Sequence, residues 1–359
     1  MSKRRAKGEG SIFKEKTTDY WVAEITLPNG RKRRKRSRQQ QVVQDWLLDQ
    51  RKAVVDNVFL VDERITVGDY LDYFMSNVAA HTLAPSTIHS YSYLIRDHIR
   101  PEIGRVRLAN LRPAHLQSLY SSKLNSGLSK RTVQYIHAIL RRSLNEALRS
   151  GLIIRNPTDA VTPPRPTKKP PQTLSADEVN VFLKSVEDHH WYPIYLLAIT
   201  TGMRKGEILG MQWEDVDLEH GTINVKRTLV DIQGSATLGK PKSATAKRSI
   251  SLSGKAVEAL RQRRLEEGFV FTTSTGRPIS QRNLTRHFHA SLEKAGLKRM
   301  RFHDLRHTAA TLLLQANIHP KIVQEMLGHS TIVLTLDTYS HVIPGLHDEA
   351  ASEMDRILE

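Results

Sequence analysis

The 359-residue sequence contains no cysteine. This absence excludes disulfide bonds, thiolate metal sites, iron–sulfur clusters and cysteine nucleophiles, and it suits a reducing compartment. The sequence also has no Walker A, GxSxG or HExxH motif. Its longest apolar run, Trp191–Ile199, has about half the length of a membrane span, and the basic start leads into no apolar segment, so we expect no signal peptide. A soluble, intracellular protein is therefore expected.

Acidic residues are scarce relative to basic ones. The 54 Lys and Arg against 37 Asp and Glu give a net charge of +17, and the first 38 residues alone hold 13 basic and four acidic residues. Such an excess predicts a polyanionic partner, either nucleic acid or an anionic membrane surface. No helical pattern combines a basic face with a broad aromatic and leucine face, so nucleic acid is favoured.

Hydropathy patterns predict a multidomain, mainly α protein with small β elements. Residues 1–60 are predicted to form a three-stranded sheet plus a helix, and residues 61–155 a bundle of four helices. Residues 156–171 hold six of the 15 prolines and three cations, which is typical of a semi-rigid basic linker. Residues 172–359 mix helices with short strands around 222–227 and 249–252, which predicts a mixed α/β domain.

Two groups of cations are candidates for DNA contact. The third predicted strand carries seven cations in eight residues, and as an ordered hairpin it would form a ribbon able to lie in a DNA groove. A solvated face or a nuclear-localisation patch would explain the same run. More cations gather in the last two helices of the bundle. The candidates are Arg31, Lys32, Arg33, Arg34, Lys35, Arg36, Lys130, Arg131 and Arg141.

The last 160 residues contain a set of groups suited to binding phosphate. Arg204 follows a glycine and precedes a predicted helix, where Glu207 could hold the guanidinium so that it forks onto two phosphate oxygens. His303 and Arg306 are predicted to share a helical face, and His329 follows a glycine suited to a helix C-cap. Taken singly, these are common as surface pairs or packed side chains.

A tyrosine and a histidine pair complete this set. Tyr339 follows His329 by ten residues and is a candidate nucleophile, although a lone tyrosine is usually a core residue. His303 and His307, four residues apart, could face a metal together. Arg306 between them would repel a dication and no acidic third ligand is evident, so no metal site is predicted.

The order and spacing of these motifs resemble the tyrosine recombinases, the phage-type integrases. The resemblance rests on Arg204, the HxxR pair of His303 and Arg306, the Leu-Gly-His of His329, and Tyr339 in its Asp-Thr-Tyr-Ser-His-Val context. It covers the whole chain and implies an arm-type amino-terminal domain, a helical core-binding (SAM-like) domain and a mixed α/β catalytic domain.

The family also carries a catalytic lysine on a β-hairpin. Lys240, Lys242 and Lys247 are candidates, and counting back from Arg248 places Lys242 at the family position. Ser243 and Ala246 depart from the family pattern there. The resemblance therefore implies a catalytic set supported by Glu207: Arg204, Lys242, His303, Arg306, His329 and Tyr339.

The resemblance further implies a site-specific DNA recombinase that cuts and rejoins DNA through a covalent 3′-phosphotyrosyl intermediate, without a cofactor, to integrate or excise a mobile element or prophage. The implied partners are double-stranded DNA with core and arm attachment sites, three further copies in a homo-tetramer, an excisionase and a host DNA-bending protein. A bacterial cytoplasmic, nucleoid-associated location follows. The apolar stripe of residues 346–358 would pack on its own domain or on a neighbouring protomer.

Three other functions are compatible with parts of this pattern. A type IB topoisomerase shares the nucleophile and the phosphate-binding groups, but the arm and core-binding modules favour a recombinase. A chromosome-dimer resolvase generally lacks the arm module. A non-catalytic DNA-binding regulator would be expected to lack some of the catalytic residue types.

Overall fold

The computed structural model describes residues 10–16, 18–26, 32–55, 64–167, 171–232, 235–239, 247–263, 267–339 and 354–358. The chain divides into two compact units, residues 1–168 and 169–359. The division falls inside the segment that the prolines predict to be a linker. In the described ranges, no helix is long and apolar enough to cross a membrane.

The amino-terminal part is a three-stranded antiparallel sheet with one helix. The strands run in the order β1-β2-β3, and Ala23 and Ile25 of the central strand pack with Val43 and Leu47 of the helix in a small core. Residues 27–31, between the second and third strands, lie outside the described residues. The elements are β1 (Ser11–Lys14), β2 (Trp21–Thr26), β3 (Lys32–Ser37) and α1 (Gln40–Val55).

The second part of this unit is all helical, as predicted. Thr66 and Asp69 form a capping box at its start, and the Ser129 hydroxyl accepts from the Thr132 amide to cap its longest helix. Two π-helical stretches, Phe74–Ala79 and Ile95–Ile99, join shorter α-helices into continuous segments. The α-helices are α2 (Val67–Tyr73), α3 (Ala80–Thr82), α4 (Pro85–Leu94), α5 (Arg100–Ile103), α6 (Pro113–Asn125) and α7 (Lys130–Arg149).

The beginning of the predicted linker packs against α7. The Asn156 side chain donates to the carbonyl of Arg141 at 3.2 Å and to the Asn145 side chain at 2.7 Å, and Thr158 and Val161 are buried. These contacts make residues 156–161 part of the helical unit rather than a free spacer.

The second unit surrounds one almost wholly buried helix, α9, with helices and short strands. Its core is one continuous apolar cluster in which the rings of Phe182, Tyr195, Phe288 and Phe302 contact one another. The elements are α8 (Ala176–Ser185), α9 (Tyr192–Thr201), α10 (Lys205–Leu209), β4 (Val216–Asp217), β5 (Thr222–Val225), β6 (Thr228–Ile232), β7 (Ser235–Gly239), β8 (Arg248–Ser251), α11 (Gly254–Arg261), α12 (Gln281–Lys294), α13 (Asp304–Gln315), α14 (Pro320–Leu327) and α15 (Ile332–Tyr339).

The strands form a β4-β5-β8 sheet and a β6-β7 hairpin, both antiparallel. The predicted fold class, mainly α with small β elements, is confirmed. Hydropathy alone predicted only the two strands that became β5 and β8. β4 has only two residues, too few for an alternating pattern to be recognised. β6 and β7 have five residues each and were missed although they are longer than β5 and β8.

Candidate active site

Arg204 is presented by a sharp turn between two helices. Gly202 ends α9 in the left-handed conformation with φ 61°, and a Cβ atom there would lie 2.4 Å from a methyl carbon of Leu327, so only glycine fits. Arg204 then forms the extended N-cap of α10. Its backbone N–H donates to Glu207 Oε2 at 3.0 Å, and its Nη1 donates to Glu207 Oε1 at 2.7 Å. The guanidinium is thereby anchored on one side while it stays partly exposed.

Glu207 lies between two guanidinium groups. Its side chain is 3% exposed and also accepts from Arg248 Nη2, at 3.0 Å to Oε2. Burial alone would raise the pKa of Glu207, but the hydrogen bond and charge of Arg248, followed by the contacts with Arg204, lower it below its ordinary value. The carboxylate is therefore ionised and compensates the positive charge behind the site.

Arg248 is a structural member of this site that sequence reasoning used only to count back to Lys242. Its Nε donates to the carbonyl of Met326 at 2.7 Å, so one side chain connects Glu207 to the end of α14. Gly328 follows in the left-handed conformation, and a Cβ there would lie 3.0 Å from Arg248 Nη1. The glycine of the Leu-Gly-His motif thus leaves space for the Arg248 side chain. The spacing of the motifs in the sequence did not indicate this contact.

Arg306 approaches the same turn from α13. It is 3% exposed and its Nη1 donates to the carbonyl of Gly202 at 2.9 Å. Asp304, at the start of α13, accepts from the backbone and the guanidinium of Arg301, which fixes the first turn of the helix. The carbonyl of Gly202, two residues before Arg204, thereby holds the second arginine of the predicted set at the turn that presents the first.

His303 and His329 approach these arginines as neutral imidazoles. His303 lies just before α13, and its ring meets that of His307 edge to face at 5.3 Å. Burial lowers the pKa of His303 to about 4, with smaller effects from His307 and Arg306. Burial likewise lowers the pKa of His329 to about 4, followed by the charges of Arg306 and Arg204. Both rings are thus close enough to Arg204 and Arg306 for the two charges to contribute to the lowered pKa values.

Two members of the predicted set are described only in part or not at all. Tyr339 is the last residue of α15, and its backbone is described while its side chain is not. Lys242 and Lys240 lie outside the described residues, beyond the end of β7, and Lys247 is exposed just before β8. Among the described residues, no group of three His, Asp or Glu side chains is arranged to hold a metal ion.

The cations predicted to contact DNA from the sheet lie on β3. Lys32 and Arg34 both pair with Glu24 of β2, and the Arg36 guanidinium stacks 4.4 Å from the centre of the Tyr20 ring. Lys35 is exposed. Arg33 donates to Gln50 of α1 at 3.1 Å, and Arg31 lies outside the described residues.

The candidate cations of the helical bundle all lie on α7. Lys130 and Arg131 are exposed in its first turn, and the Arg131 guanidinium lies 5.0 Å from the centre of the exposed Tyr135 ring. Arg141 is also exposed and lies 3.4 Å from Asp159. Arg131, Tyr135 and Arg141 also line a partly open pocket that they share with residues 158, 159 and 161–163.

Sequence reasoning missed a basic surface on α12. A shallow depression there is lined by Arg282, Arg286 and Arg299 together with Lys205, whose Nζ donates to Thr285 Oγ1 at 3.0 Å. Because Lys205 directly follows Arg204, this surface continues from the candidate site. The spacing of four between Arg282 and Arg286, which puts both on one helical face, could have revealed it.

Comparison with known proteins identifies the same two regions. Residues 172–344 match the family model for the phage integrase family, and residues 66–124 match that for the phage integrase N-terminal SAM-like domain. A tyrosine recombinase XerC-like protein of Caldanaerobacter subterraneus is 28% identical over 78% of this chain and 80% of its own length. An integrase of Saccharopolyspora erythraea is 22% identical over 94% of each chain.

Solved structures give the same result for the fold. The Tn1549 transposon integrase in complex with a circular intermediate DNA superposes with a TM-score of 0.70 at 21% identity, over 82% of this chain and 99% of that one. A lambda integrase tetramer bound to a Holliday junction gives 0.59 at 19% identity, over 89% and 95% of the two chains. With both matched domains and these relatives, the chain belongs to the tyrosine recombinase family, the phage-type integrases.

Proposed function

We propose that this chain is a site-specific DNA recombinase that integrates or excises a mobile element. The observation that carries the proposal is the convergence of Arg204, Arg306, His303 and His329 at one place in the second unit, with the ionised Glu207 behind them. Two cations and two neutral imidazoles suit a phosphodiester, since attack on phosphorus builds negative charge on the non-bridging oxygens.

The chemistry follows from the protonation states of these groups. Arg204 and Arg306 bind the scissile phosphate, and His329 donates a hydrogen bond to it. Tyr339 attacks phosphorus while its phenolic proton passes to His303. The His303 ring has a free lone pair for that proton at pH 7, because its lowered pKa keeps it unprotonated. The bond to the 5′ oxygen breaks as Lys242 donates a proton to that oxygen. The product is a 3′-phosphotyrosyl linkage and a free 5′ hydroxyl.

The linkage conserves the phosphodiester bond in a form that another hydroxyl can attack. When the 5′ hydroxyl comes from a second duplex, the proton transfers run in reverse and the strands are exchanged. No nucleotide cofactor enters this balance, because one phosphodiester is broken for each one formed.

The basic surfaces bind the phosphate backbone of DNA. The cations of α7 and the depression on α12 are suited to phosphates of a core site, and the β3 strand is suited to a separate arm site. This division corresponds to an arm-binding domain at residues 1–60, a core-binding domain at 61–155, a linker at 156–171 whose first six residues pack on α7, and a catalytic domain at 172–359. Assembly of four copies on DNA, an excisionase, a host DNA-bending protein and a cytoplasmic, nucleoid-associated location belong to the same proposal.

Covalent capture of DNA tests this function. The chain is incubated with sheared DNA of its source genome, the mixture is denatured, and protein-linked fragments are sequenced. We expect the linked fragments to share one sequence, and two plasmids carrying that sequence to recombine. Linked fragments without a shared sequence, together with relaxation of any supercoiled plasmid, would instead identify a topoisomerase. The absence of linked DNA would overturn the proposal.

A further inference from the structure

A buried threonine that the sequence-predicted site does not include touches one of its histidines. Thr335 lies on α15, one turn before Tyr339, and is 0% exposed. Its Oγ1 is 2.9 Å from Nδ1 of His329. The backbone of His329 is held from the other side, where its N–H donates to the Gln324 carbonyl at 3.1 Å and its carbonyl accepts from Gln324 Nε2 at 2.8 Å. The histidine therefore has its backbone fixed by α14 and its ring fixed by α15.

The burial of Thr335 decides which atom donates in this hydrogen bond. Among the described residues, His329 Nδ1 is the hydroxyl's only hydrogen-bond partner. If Nδ1–H donated, the hydroxyl hydrogen would be buried without an acceptor, which costs about 1–3 kcal/mol. If Oγ1–H donates, both atoms are satisfied. The second arrangement is favoured, and it leaves Nδ1 without a proton.

The direction of this bond matters because the ring is neutral. The pKa of His329 is lowered to about 4 by burial and then by Arg306 and Arg204, so at pH 7 the imidazole carries one proton. That proton lies on Nε2 when Nδ1 is an acceptor. Within the described part of the chain Nε2 has no hydrogen-bond partner, so it is available to a ligand.

We propose that Thr335 is a positioning residue that holds His329 in the Nε2–H tautomer, so that His329 donates to the scissile phosphate. The inference rests on the proposed function and deepens it. Thr335 lies on α15, the helix that ends at Tyr339. The packing of this helix against the rest of the unit therefore also orients the His329 ring. The opposite tautomer would turn a lone pair of Nε2 towards an anion.

The tautomer can be measured without DNA. In the full chain labelled with ¹⁵N-histidine, long-range ¹H–¹⁵N spectra at pH 7 report which ring nitrogen of His329 is protonated, with His329→Gln for assignment. We expect the Nε2–H form in the wild type and in Thr335→Ser, with the Nδ1 resonance shifted by the hydrogen bond that Nδ1 accepts. In the isosteric Thr335→Val that shift should be lost. A wild-type spectrum with the proton on Nδ1, or an Nδ1 resonance that is the same in Thr335→Val, would overturn the proposal.

Cleavage then tests the consequence of the tautomer. On DNA recovered by covalent capture, we expect Thr335→Val to form the adduct at least about tenfold more slowly, since the donor to the developing charge is no longer held in place by the hydroxyl. DNA binding should be unchanged, and Thr335→Ser should restore most of the rate. Thr311→Val is the matched control, because Thr311 is a buried threonine whose hydroxyl has no hydrogen-bond partner among the described residues.

The remaining outcomes separate the alternatives. Equal slowing in Thr335→Ser and Thr335→Val, or in Thr311→Val, would show that packing rather than the hydroxyl is responsible and would overturn the proposal. A wild-type rate in Thr335→Val would do the same. A wild-type chain that forms no adduct would refute the proposed recombinase function, and the His329 spectrum would still decide whether Thr335 sets the tautomer.

Discussion

Arginine is used in two contrasting ways in this chain. On β3, Arg34 is two-thirds exposed and pairs with Glu24 at the surface of the sheet. In the second unit, the Arg248 side chain is 7% exposed and bonds both the buried Glu207 and the carbonyl of Met326. Exposed pairs are screened by salt and contribute little to stability, whereas buried, hydrogen-bonded pairs fix geometry and are costly to break. The net charge of +17 therefore combines cations suited to affinity with a few suited to catalysis.

The largest effect is expected from Arg204, the partly exposed arginine that pairs with the buried Glu207. Arg204→Ala should slow adduct formation by about 10²–10³-fold, because its charge matters most where negative charge develops, while DNA affinity changes far less. Single-turnover cleavage and binding titrations measure the two effects. Arg261→Ala, an exposed arginine on α11, serves as the control. Parallel loss of binding and cleavage would indicate a simple binding role for Arg204.

The carboxylate behind that arginine should matter for stability. Glu207→Gln leaves two guanidinium groups without their counter-charge and should lower the free energy of unfolding by about 3 kcal/mol in urea at pH 7. The exposed Glu214→Gln is the control.

The same carboxylate has a predictable pH dependence. The pKa of Glu207 is lower in the folded chain, so its stabilisation is present above the unfolded-state pKa of about 4.3 and is lost as pH falls through the folded-state value. The difference in the free energy of unfolding between the wild type and Glu207→Gln should therefore disappear only at acid pH. An advantage that disappears near neutral pH would contradict the buried pair.

The cleavage rate should fall only at a pH well below the ordinary pKa of histidine, because His303 and His329 are both shifted. Since burial lowers the pKa of His303 and of His329 to about 4, both remain neutral well below their ordinary 6.5. The second-order rate of cleavage at low DNA concentration reports the free protein. It should not decline as pH falls through 6.5 and should decline as pH approaches about 4. A decline centred near 6.5 would show that the imidazoles are not shifted.

The smallest effect is expected from the exposed cations of β3. Lys32→Ala and Arg34→Ala should each reduce the slope of log affinity against log salt by about one for an arm site, because each phosphate contact releases condensed counterions. Cleavage of an isolated core site should not change. An unchanged slope would mean that these β3 cations form a solvated face.

Much of the architecture was predictable because it depends on local patterns. The helices α2, α7 and α8 are capped by Thr66, Ser129 and Ser175, residue types that favour this position, and the Asn156–Pro171 segment contains the division between the two units. The strand β4 was not predictable from hydropathy, because two residues carry no recognisable period, whereas β6 and β7 were missed although each is longer than β5 or β8.

The site was predictable only as a set of residue types. Spacing and family resemblance identified Arg204, His303, Arg306 and His329, but the contacts that orient them come from residues far away in the sequence. Arg248 lies 41 positions from Glu207, and the Gly202 carbonyl that receives Arg306 lies 104 positions away. Thr335 is close in sequence to His329, yet its hydroxyl resembles that of any helical threonine until its burial is known.

The most direct test of the account is the identity of the residue that becomes attached to DNA. Adduct captured on a recombination site is digested with nuclease and protease, and the peptide that carries a nucleotide is sequenced by mass spectrometry, with Tyr339→Phe as the comparison. We expect a 3′-phosphate linked to Tyr339, and a Tyr339→Phe chain that binds the site without forming an adduct. A nucleotide on any other residue, or an adduct that persists in Tyr339→Phe, would contradict it.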